Sequence, residues 1–364
     1  MKSLTIAISA SLLAIPLWTS ASPPIHFSES DDIPRTSTGK PNFSGTYDAK
    51  TITPLARRGD AGENTLIKPE DAENWSKGIK ASNRANDNRV LDPNRAAPPE
   101  GGDGSPGAAG NVGGYNRFWI DNGEEFTKVD GEYPNSIIYY PENGRHPPPT
   151  EAAIQRWRAL GNYWRKNTGR AWWLDDGIPG PRDHPETLTL SDRCLLGFSS
   201  TGGPPMLPAL YNNIKRVVQS EDTLMILIEM VHDARVIRIG GEHAPDDVRK
   251  WLGDSIGWWE GDTLVVDTTN FNDTPALGGA TRDLHVVERF TMVDDDNMLY
   301  DFTVRDPNAW KDKWSGRYNW PKTESQLYEY ACHEGNYSMQ GMLKGAREAE
   351  KAWYAEQAQT ESGE

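Results

Sequence analysis

The sequence is short of positive charge. It has 38 Lys and Arg against 53 Asp and Glu, which gives a net charge of −15 over 364 residues. Proteins that bind nucleic acid need clustered Lys and Arg to contact phosphates, and no basic stripe with interleaved aromatic residues is present. We therefore expect no nucleic-acid partner, and we attribute the acidic balance to solubility.

The sequence also lacks the motifs of several enzyme classes. It has no Gly-x-Ser-x-Gly elbow, P-loop or dinucleotide fingerprint in the strand–turn–helix context that each requires. Four histidines lie near carboxylates but show no metal-ligand spacing such as His-Glu-x-x-His: His232, His243, His285 and His333. The missing motifs argue against serine-hydrolase, NTPase and nicotinamide-dependent functions. We predict no metal and no cofactor.

The N-terminus has no hydrophobic run long enough to cross a membrane. The apolar stretch covers only Leu4–Leu17 and follows Lys2. The small residues Thr19-Ser20-Ala21 then suit cleavage of a signal peptide, and no cysteine follows them to carry a lipid. We predict a signal peptide over residues 1–21, no membrane anchor, and a periplasmic or secreted protein.

Cysteine is scarce, with only Cys194 and Cys332. In an exported protein a single pair predicts a disulfide. Closing so long a loop contributes about 4–5 kcal/mol on the chain-entropy model. The alternative is a nucleophilic thiol beside His333.

Tryptophan, glycine and proline are abundant, with 14, 34 and 26 residues. This composition indicates short elements joined by long loops. The clearest element is a hairpin: Trp258 and Trp259 lead into the turn Glu260-Gly261-Asp262, and a β-branched run follows. Consecutive residues of a strand face opposite ways, so one indole would lie inside and the other outside.

Strands are predicted throughout the second half of the chain. They cover Asn213–Gln219, Leu224–Met230, Arg235–Ile239, Ile256–Trp259, Thr263–Phe271, Leu284–Met292, Met298–Arg305 and Gln326–His333. Helices are predicted over Pro69–Lys80, Glu151–Lys166, Pro245–Leu252 and Asn336–Gln357. Mostly short connections imply antiparallel neighbours. We predict a mainly β fold with an antiparallel up-and-down, lipocalin-like barrel or a strongly curved sheet.

The predicted organisation has four parts. After the signal peptide, residues 22–208 form a loop-rich region of short strands and helices packed on the barrel. Residues 209–335 form the barrel, and residues 336–364 form a helix and tail that lie along one face of it.

Glu288 is the first candidate catalytic residue. It shares the inward face of its strand with Leu284, Val286, Phe290 and Met292. A buried carboxylate is paired, protonated or beside a cavity, and burial raises its pKa toward the range useful to a general acid or base. The alternative is a structural ion pair with an inward Arg.

The segment Glu229–Arg235 is the second candidate. His232, Asp233 and Arg235 follow a hydrophobic strand, and polar groups at a strand end lie at the mouth of a barrel. His232 would transfer a proton, while Arg235 would hold an anionic group of the substrate, with Asp233 nearby. The alternative is that His232 and Asp233 form a hairpin turn and Arg235 is a rim charge.

Five further residues are candidate substrate contacts. Tyr328 and His333 lie in the last predicted strand, where His333 could instead form a corner before the helix. Trp258 could stack on a sugar ring, although packing is the commoner role of such a residue. Tyr115 and Asn116 follow a Gly-rich loop and could close over the site.

Five segments carry a resemblance: Gly113–Asn116, Pro204–Pro208, His232–Arg235, Gly257–Val266 and Cys332–Tyr337. Through them the chain resembles a group of exported, mostly uncharacterised proteins of environmental Gram-negative bacteria. The resemblance covers most of the mature chain but implies no particular activity. The likeness to lipocalin-like (calycin) barrels concerns architecture, and such barrels serve binders as well as lyases, isomerases and hydratases.

These observations favour an exported, cofactor-independent enzyme. It would act on a small organic molecule by acid–base chemistry of the lyase or isomerase type, because acid–base candidates are present and a nucleophile motif is not. The alternative is a non-catalytic periplasmic binding protein for an apolar or glycosidic ligand.

Overall fold

The computed structural model describes residues 33–87, 121–163, 165 and 168–362. The predicted signal peptide lies outside the described residues, and so do Tyr115 and Asn116. Within the described part, one curled ten-stranded sheet dominates the fold. The predicted mainly β architecture with a strongly curved sheet is therefore confirmed.

The strands of this sheet are β1 (Gly45–Asp48), β4 (Ile138–Tyr140), β5 (Ile214–Gln219), β6 (Thr223–Ile228), β7 (Ala234–Ile239), β8 (Asp254–Glu260), β9 (Thr263–Thr269), β10 (His285–Met292), β11 (Asn297–Arg305) and β12 (Trp314–Pro321). A separate ribbon pairs β2 (Leu66–Ile67) with β3 (Tyr133–Pro134). The helices are α1 (Pro69–Asp87), α2 (Glu151–Tyr163), α3 (Trp172–Asp175) and α4 (Tyr337–Ser362).

The strand order is β1-β5-β6-β7-β8-β9-β10-β11-β12-β4. Neighbours are antiparallel except β7 and β8, which are parallel because the segment 240–253 carries the chain back before β8 begins. The sheet curls until its β1 side meets the end of β12. There Tyr47 bridges Lys322, and Thr323 N donates to Thr46 O at 2.9 Å.

The β8–β9 hairpin forms as predicted. Glu260 pairs with Thr263, which leaves Gly261-Asp262 as the turn, and Gly261 adopts a φ of +61°. Trp258 is 40% exposed, whereas Trp259 stacks on Phe43 with ring centroids 5.6 Å apart. The two indoles therefore lie on opposite faces, and the N-terminal arm covers the inner one.

Two predicted elements are wrong. Residues 245–252 form turns rather than a helix, because the backbone of Lys250 pairs with the chain after β9: Lys250 N donates to Asn270 O, and Asn272 N donates to Lys250 O, both at 3.0 Å. The segment 326–333 contains no strand. The strand that follows β11 and pairs with it is β12, which was not predicted and which contains Gly316 and Pro321.

The main core lies inside the curl of the sheet. It is rich in aromatic side chains that are fully buried, among them Tyr47, Phe290, Tyr300, Trp314, Tyr318 and Trp320. The C-terminal helix α4 does not lie along the barrel as predicted. Its Ala346 and Trp353 pack instead with Ala171 and Trp173 in a second, smaller cluster around α3.

The predicted disulfide is present. Cys194 and Cys332 are bonded, with Cα atoms 5.8 Å apart, so the chain suits an oxidising compartment outside the cytosol. Among the described residues, no helix is both long enough and apolar enough to cross a membrane.

Candidate functional site

The alternation predicted for β10 places Glu288 inside the sheet, where it is fully buried. Arg235 on β7 is 2% exposed and faces it. Arg235 Nη1 donates to Glu288 Oε1 at 2.8 Å, and Nη2 donates to Oε2 at 2.7 Å. This is the inward Arg–Glu ion pair that stood as the alternative to a catalytic Glu288.

Hydroxyl groups complete the surroundings of this pair. Tyr300 OH donates to Glu288 Oε1 at 2.7 Å and accepts from Met206 N at 2.8 Å. Arg235 Nη2 also donates to Ser255 Oγ at 3.1 Å and to Thr268 Oγ1 at 3.4 Å. Burial acts to lower the pKa of Arg235, but the neighbouring Glu288 carboxylate raises it, so the guanidinium remains charged.

Ser255 belongs to a segment, Gly253–Gly257, with the letter pattern Gly-x-Ser-x-Gly. The serine lies within strand β8 rather than at a strand–turn–helix elbow. Its hydroxyl shares a hydrogen bond of 2.9 Å with Thr268. The segment therefore lacks the geometry of a hydrolase nucleophile.

A cavity of about 390 Å³ lies beside the ion pair. Its lining includes Leu195, Leu196, Asp233, Arg235, Lys250 and Ser255. Asp233 Oδ2 and Arg235 Nε are both buried, and neither has a hydrogen-bond partner among the described residues. Buried polar atoms are nearly always paired in folded proteins, and the residues that carry these two exceptions both line the cavity, which identifies it as a candidate site.

Asp233 has the ionisation behaviour of an acid–base residue. Burial raises the pKa of its carboxyl to about 6, against smaller lowering effects of a backbone hydrogen bond from Gly197 and the charge of His232. A carboxyl with this pKa exchanges protons readily near neutral pH. The same residue type in water has a pKa near 3.9.

The backbone beside Asp233 is strained. Val231 and His232 adopt φ values of 56° and 45°, and positive φ is a genuine outlier for a β-branched residue. Ser199 and Ser200, in the segment that packs nearby, have φ values of 59° and 57°. Such strain costs about 1–3 kcal/mol per residue and is concentrated at functional sites.

The disulfide holds one wall of this cavity. Cys194 immediately precedes Leu195 and Leu196, and Gly197 supplies the backbone hydrogen bond to Asp233. Asn336 Nδ2 donates to Asp192 O at 2.7 Å and braces the same segment. The bond between Cys194 and Cys332 therefore connects the wall to the start of α4.

Four other predicted site residues, all within the described part of the chain, are not brought together with Glu288: His232, Trp258, Tyr328 and His333. His232 and His333 are exposed, and Tyr328 is 59% exposed. The backbone N of Tyr328 donates to Glu229 Oε1 at 2.9 Å, so that segment packs on the β6–β7 connection. Trp258 lies on the outer face of the sheet, where its Nε1 donates to Glu260 at 3.1 Å.

Two of the four histidines belong to a network on the outer face. His243 Nε2 and His285 Nε2 lie 2.8 and 2.6 Å from the two oxygens of Asp267. Burial acts to raise the pKa of Asp267, but the two histidines lower it to about 2. The part of the chain that is described contains no group of three or more His, Cys, Asp or Glu arranged to hold a metal ion.

Sequence reasoning missed Lys215, which is fully buried. Its Nζ donates to Thr201 O at 3.2 Å, and burial lowers its pKa to about 8. Alternation along the strand could have identified it, because Lys215 lies two residues from Val217 on β5 and therefore on the same, inward face. No cavity described above reaches this amine.

Comparison of the chain with protein-family models, with curated proteins and with solved structures finds no match.

Proposed function

We propose that this protein is an exported enzyme that acts on a small organic molecule by acid–base catalysis of the lyase or isomerase type. The observation that carries the proposal is that two residues lining one cavity each hold a buried polar atom without a partner among the described residues, Asp233 Oδ2 and Arg235 Nε. Sites of this kind usually combine, in one cavity, an acid whose pKa is shifted and a hydrogen-bond donor that can bind an anion.

In this proposal Asp233 takes the proton-transfer role that the sequence pattern assigned to Glu288. Above its pKa of about 6, the carboxylate removes a proton from a carbon next to a substrate carboxylate or carbonyl. Arg235 Nε–H donates to the oxygen on which negative charge develops. The proton then returns to another carbon in an isomerase, or a leaving group departs in a lyase.

Glu288 and Tyr300 are positioning residues in this scheme. Both oxygens of Glu288 accept hydrogen bonds from Arg235, and Glu288 does not line the cavity, so we assign the carboxylate the role of fixing the guanidinium. The cavity volume of about 390 Å³ lies near the lower end of the range for ligand sites and suits a small substrate.

The test follows hydrogen exchange and needs no knowledge of the product. The full mature chain is incubated in D₂O with pooled small carboxylic and keto acids, and deuterium gain at carbon is measured by mass spectrometry. Wild type should catalyse exchange in at least one compound, and Asp233→Asn should reduce that rate by at least about 100-fold.

Asp301→Asn is the matched control. Asp301 is also a buried aspartate whose pKa burial raises to about 6, but its carboxylate lies beside Tyr139 rather than on the cavity. It should retain full exchange activity. Equal rates in wild type and Asp233→Asn would contradict the proposal.

A periplasmic or secreted location is part of the same proposal. The Cys194–Cys332 disulfide supports it, because structural disulfides persist in oxidising compartments. Alkylation of the protein in intact cells and in lysates, with and without reductant, distinguishes an oxidised exported chain from a reduced internal one.

A further inference from the structure

A second and larger concavity is lined by a later part of the segment that follows Cys194. Leu195 and Leu196 line the cavity described above, whereas Ser199 and Ser200 line this groove of about 860 Å³. We propose that the groove binds an aromatic carboxylate with two linked rings. This inference is independent of the proposed catalysis at Asp233.

Flat rings form the walls of the groove. Trp157 and Trp310 line it with His146 and the three prolines Pro147–Pro149. His146 meets Trp314 edge-on at 4.5 Å and stacks on Trp310 at 6.1 Å between ring centroids. Trp310 is buried beneath His146, so the exposed rings of His146 and Trp157 are the ones that a flat ligand can contact.

Trp157 is held in place although it is 40% exposed. Gly279, at a φ of +85°, lies so close that a Cβ atom there would be 2.6 Å from the indole Nε1. Leu210, which lines the same groove, is 53% exposed. Large apolar side chains exposed in one concave surface mark a ligand-binding surface.

The charge of the groove selects the ligand. Although the whole chain carries a net charge of −15, no Asp or Glu is present among the described residues that line the groove, and Arg145 supplies its formal positive charge. Arg145 Nε donates to Arg57 O at 3.2 Å and Nη2 to Arg58 O at 3.4 Å. Among the described residues, carbonyl groups rather than a carboxylate contact this guanidinium, and it fits an anionic group on the ligand.

The groove is large enough for more than one ring. Its volume of about 860 Å³ is more than twice that of the cavity at Asp233, about 390 Å³. A carboxylate with two linked rings covers more of the lining than a benzoate does, and we therefore specify two rings.

The experiment is isothermal titration calorimetry of the full mature chain with two probes of the same shape. Biphenyl-4-carboxylate should bind more tightly than its neutral amide. Arg145→Gln should weaken the carboxylate by about tenfold and leave the amide unchanged. Trp157→Phe and Trp157→Ala should weaken both probes, and circular dichroism verifies that each variant is folded.

Arg170→Gln is the control, because Arg170 is exposed and pairs with Glu356 at 3.5 Å, away from the groove. Absence of binding by wild type at millimolar probe, or equal weakening of both probes by Arg145→Gln, would overturn the proposal. Asp233→Asn should not alter either affinity, so failure here is separable from failure of the proposed catalysis.

Discussion

The Arg235–Glu288 pair shows how a single residue can look catalytic and be structural. Burying two charges is expensive, and the cost is recovered only when geometry is good and the remaining polar atoms are satisfied. Here the bidentate contact and the Tyr300 hydroxyl satisfy Glu288. Arg235 also lines the adjacent cavity, and its Nε has no partner among the described residues, so the proposed function assigns the pair a role there.

The first prediction concerns this pair. Glu288→Gln should lower the free energy of unfolding by about 3–5 kcal/mol, because it leaves the Arg235 charge buried without a counter-ion. Urea unfolding at pH 7 measures the change. Glu260→Gln, at a carboxylate that is 51% exposed, should change stability by less than about 0.5 kcal/mol. An unchanged stability of Glu288→Gln would contradict a structural pair.

The second prediction concerns Asp233. Its folded pKa of about 6 is above the ordinary value of 3.8, so the folded state binds the proton more tightly than the unfolded state. The carboxyl therefore reduces stability increasingly as pH rises from about 4 to 6, and the reduction is complete above that range. Asp233→Asn should be more stable than wild type by up to about 3 kcal/mol at pH 7 and nearly equal to it below pH 4.

Urea unfolding of both proteins between pH 4 and 8 gives this difference directly. The same measurement on Asp301→Asn gives the contribution of Asp301, the second buried aspartate, to the pH dependence of stability. A constant difference between Asp233→Asn and wild type across the range would show that Asp233 has an ordinary pKa.

At the scale of elements, the segment 194–208 organises both concavities. It has no regular strand or long helix, yet the disulfide, the contact of Asn336 with Cys194 and the Tyr300 bond to Met206 fix it over the sheet. Loops held on a rigid scaffold are where binding and catalytic groups are commonly placed.

The third prediction concerns the disulfide. Replacing Cys194 and Cys332 with Ala should lower the free energy of unfolding by about 4–5 kcal/mol on the chain-entropy model. Hydrogen exchange should increase in residues 195–202, and deuterium transfer by Asp233 should fall because the wall that positions its carboxylate loosens. Wild type kept oxidised is the reference, and equal exchange in both proteins at 195–202 would exclude a positioning role.

At the scale of the whole molecule, the described chain has two hydrophobic clusters of unequal size. The large one lies inside the sheet, whereas the small one joins α3 to α4 through Trp173 and Ala346. Trp173 Nε1 also donates to Glu350 at 3.0 Å. Regions with few buried contacts open with smaller free energies than the main core, so the two clusters should open separately.

The fourth prediction tests this independence. Trp173→Ala should increase amide exchange throughout α4 and leave the protection of β9, β10 and β11 unchanged, as measured by hydrogen–deuterium exchange with mass spectrometry. Tyr337→Ala, at a residue of α4 that is 80% exposed, should alter neither. Loss of protection in the sheet after Trp173→Ala would show that the molecule unfolds as one unit.

The sequence by itself determined the parts of this protein that depend on local patterns. Alternation on β10 identified Glu288 as inward, the Gly261-Asp262 turn located the hairpin, and the count of two cysteines predicted the disulfide. Each of these follows from neighbours along the chain, because strand parity and turn geometry act over a few residues.

Only the tertiary structure decided which residues meet. β12 pairs with β4, more than 170 positions away in sequence, and α4 packs on α3 rather than on the sheet. Likewise Glu288 meets Arg235, and Asp233 and Arg235 both line one cavity. Sequence spacing carries no information on such contacts, because they depend on how the sheet curls and on which strand occupies its edge.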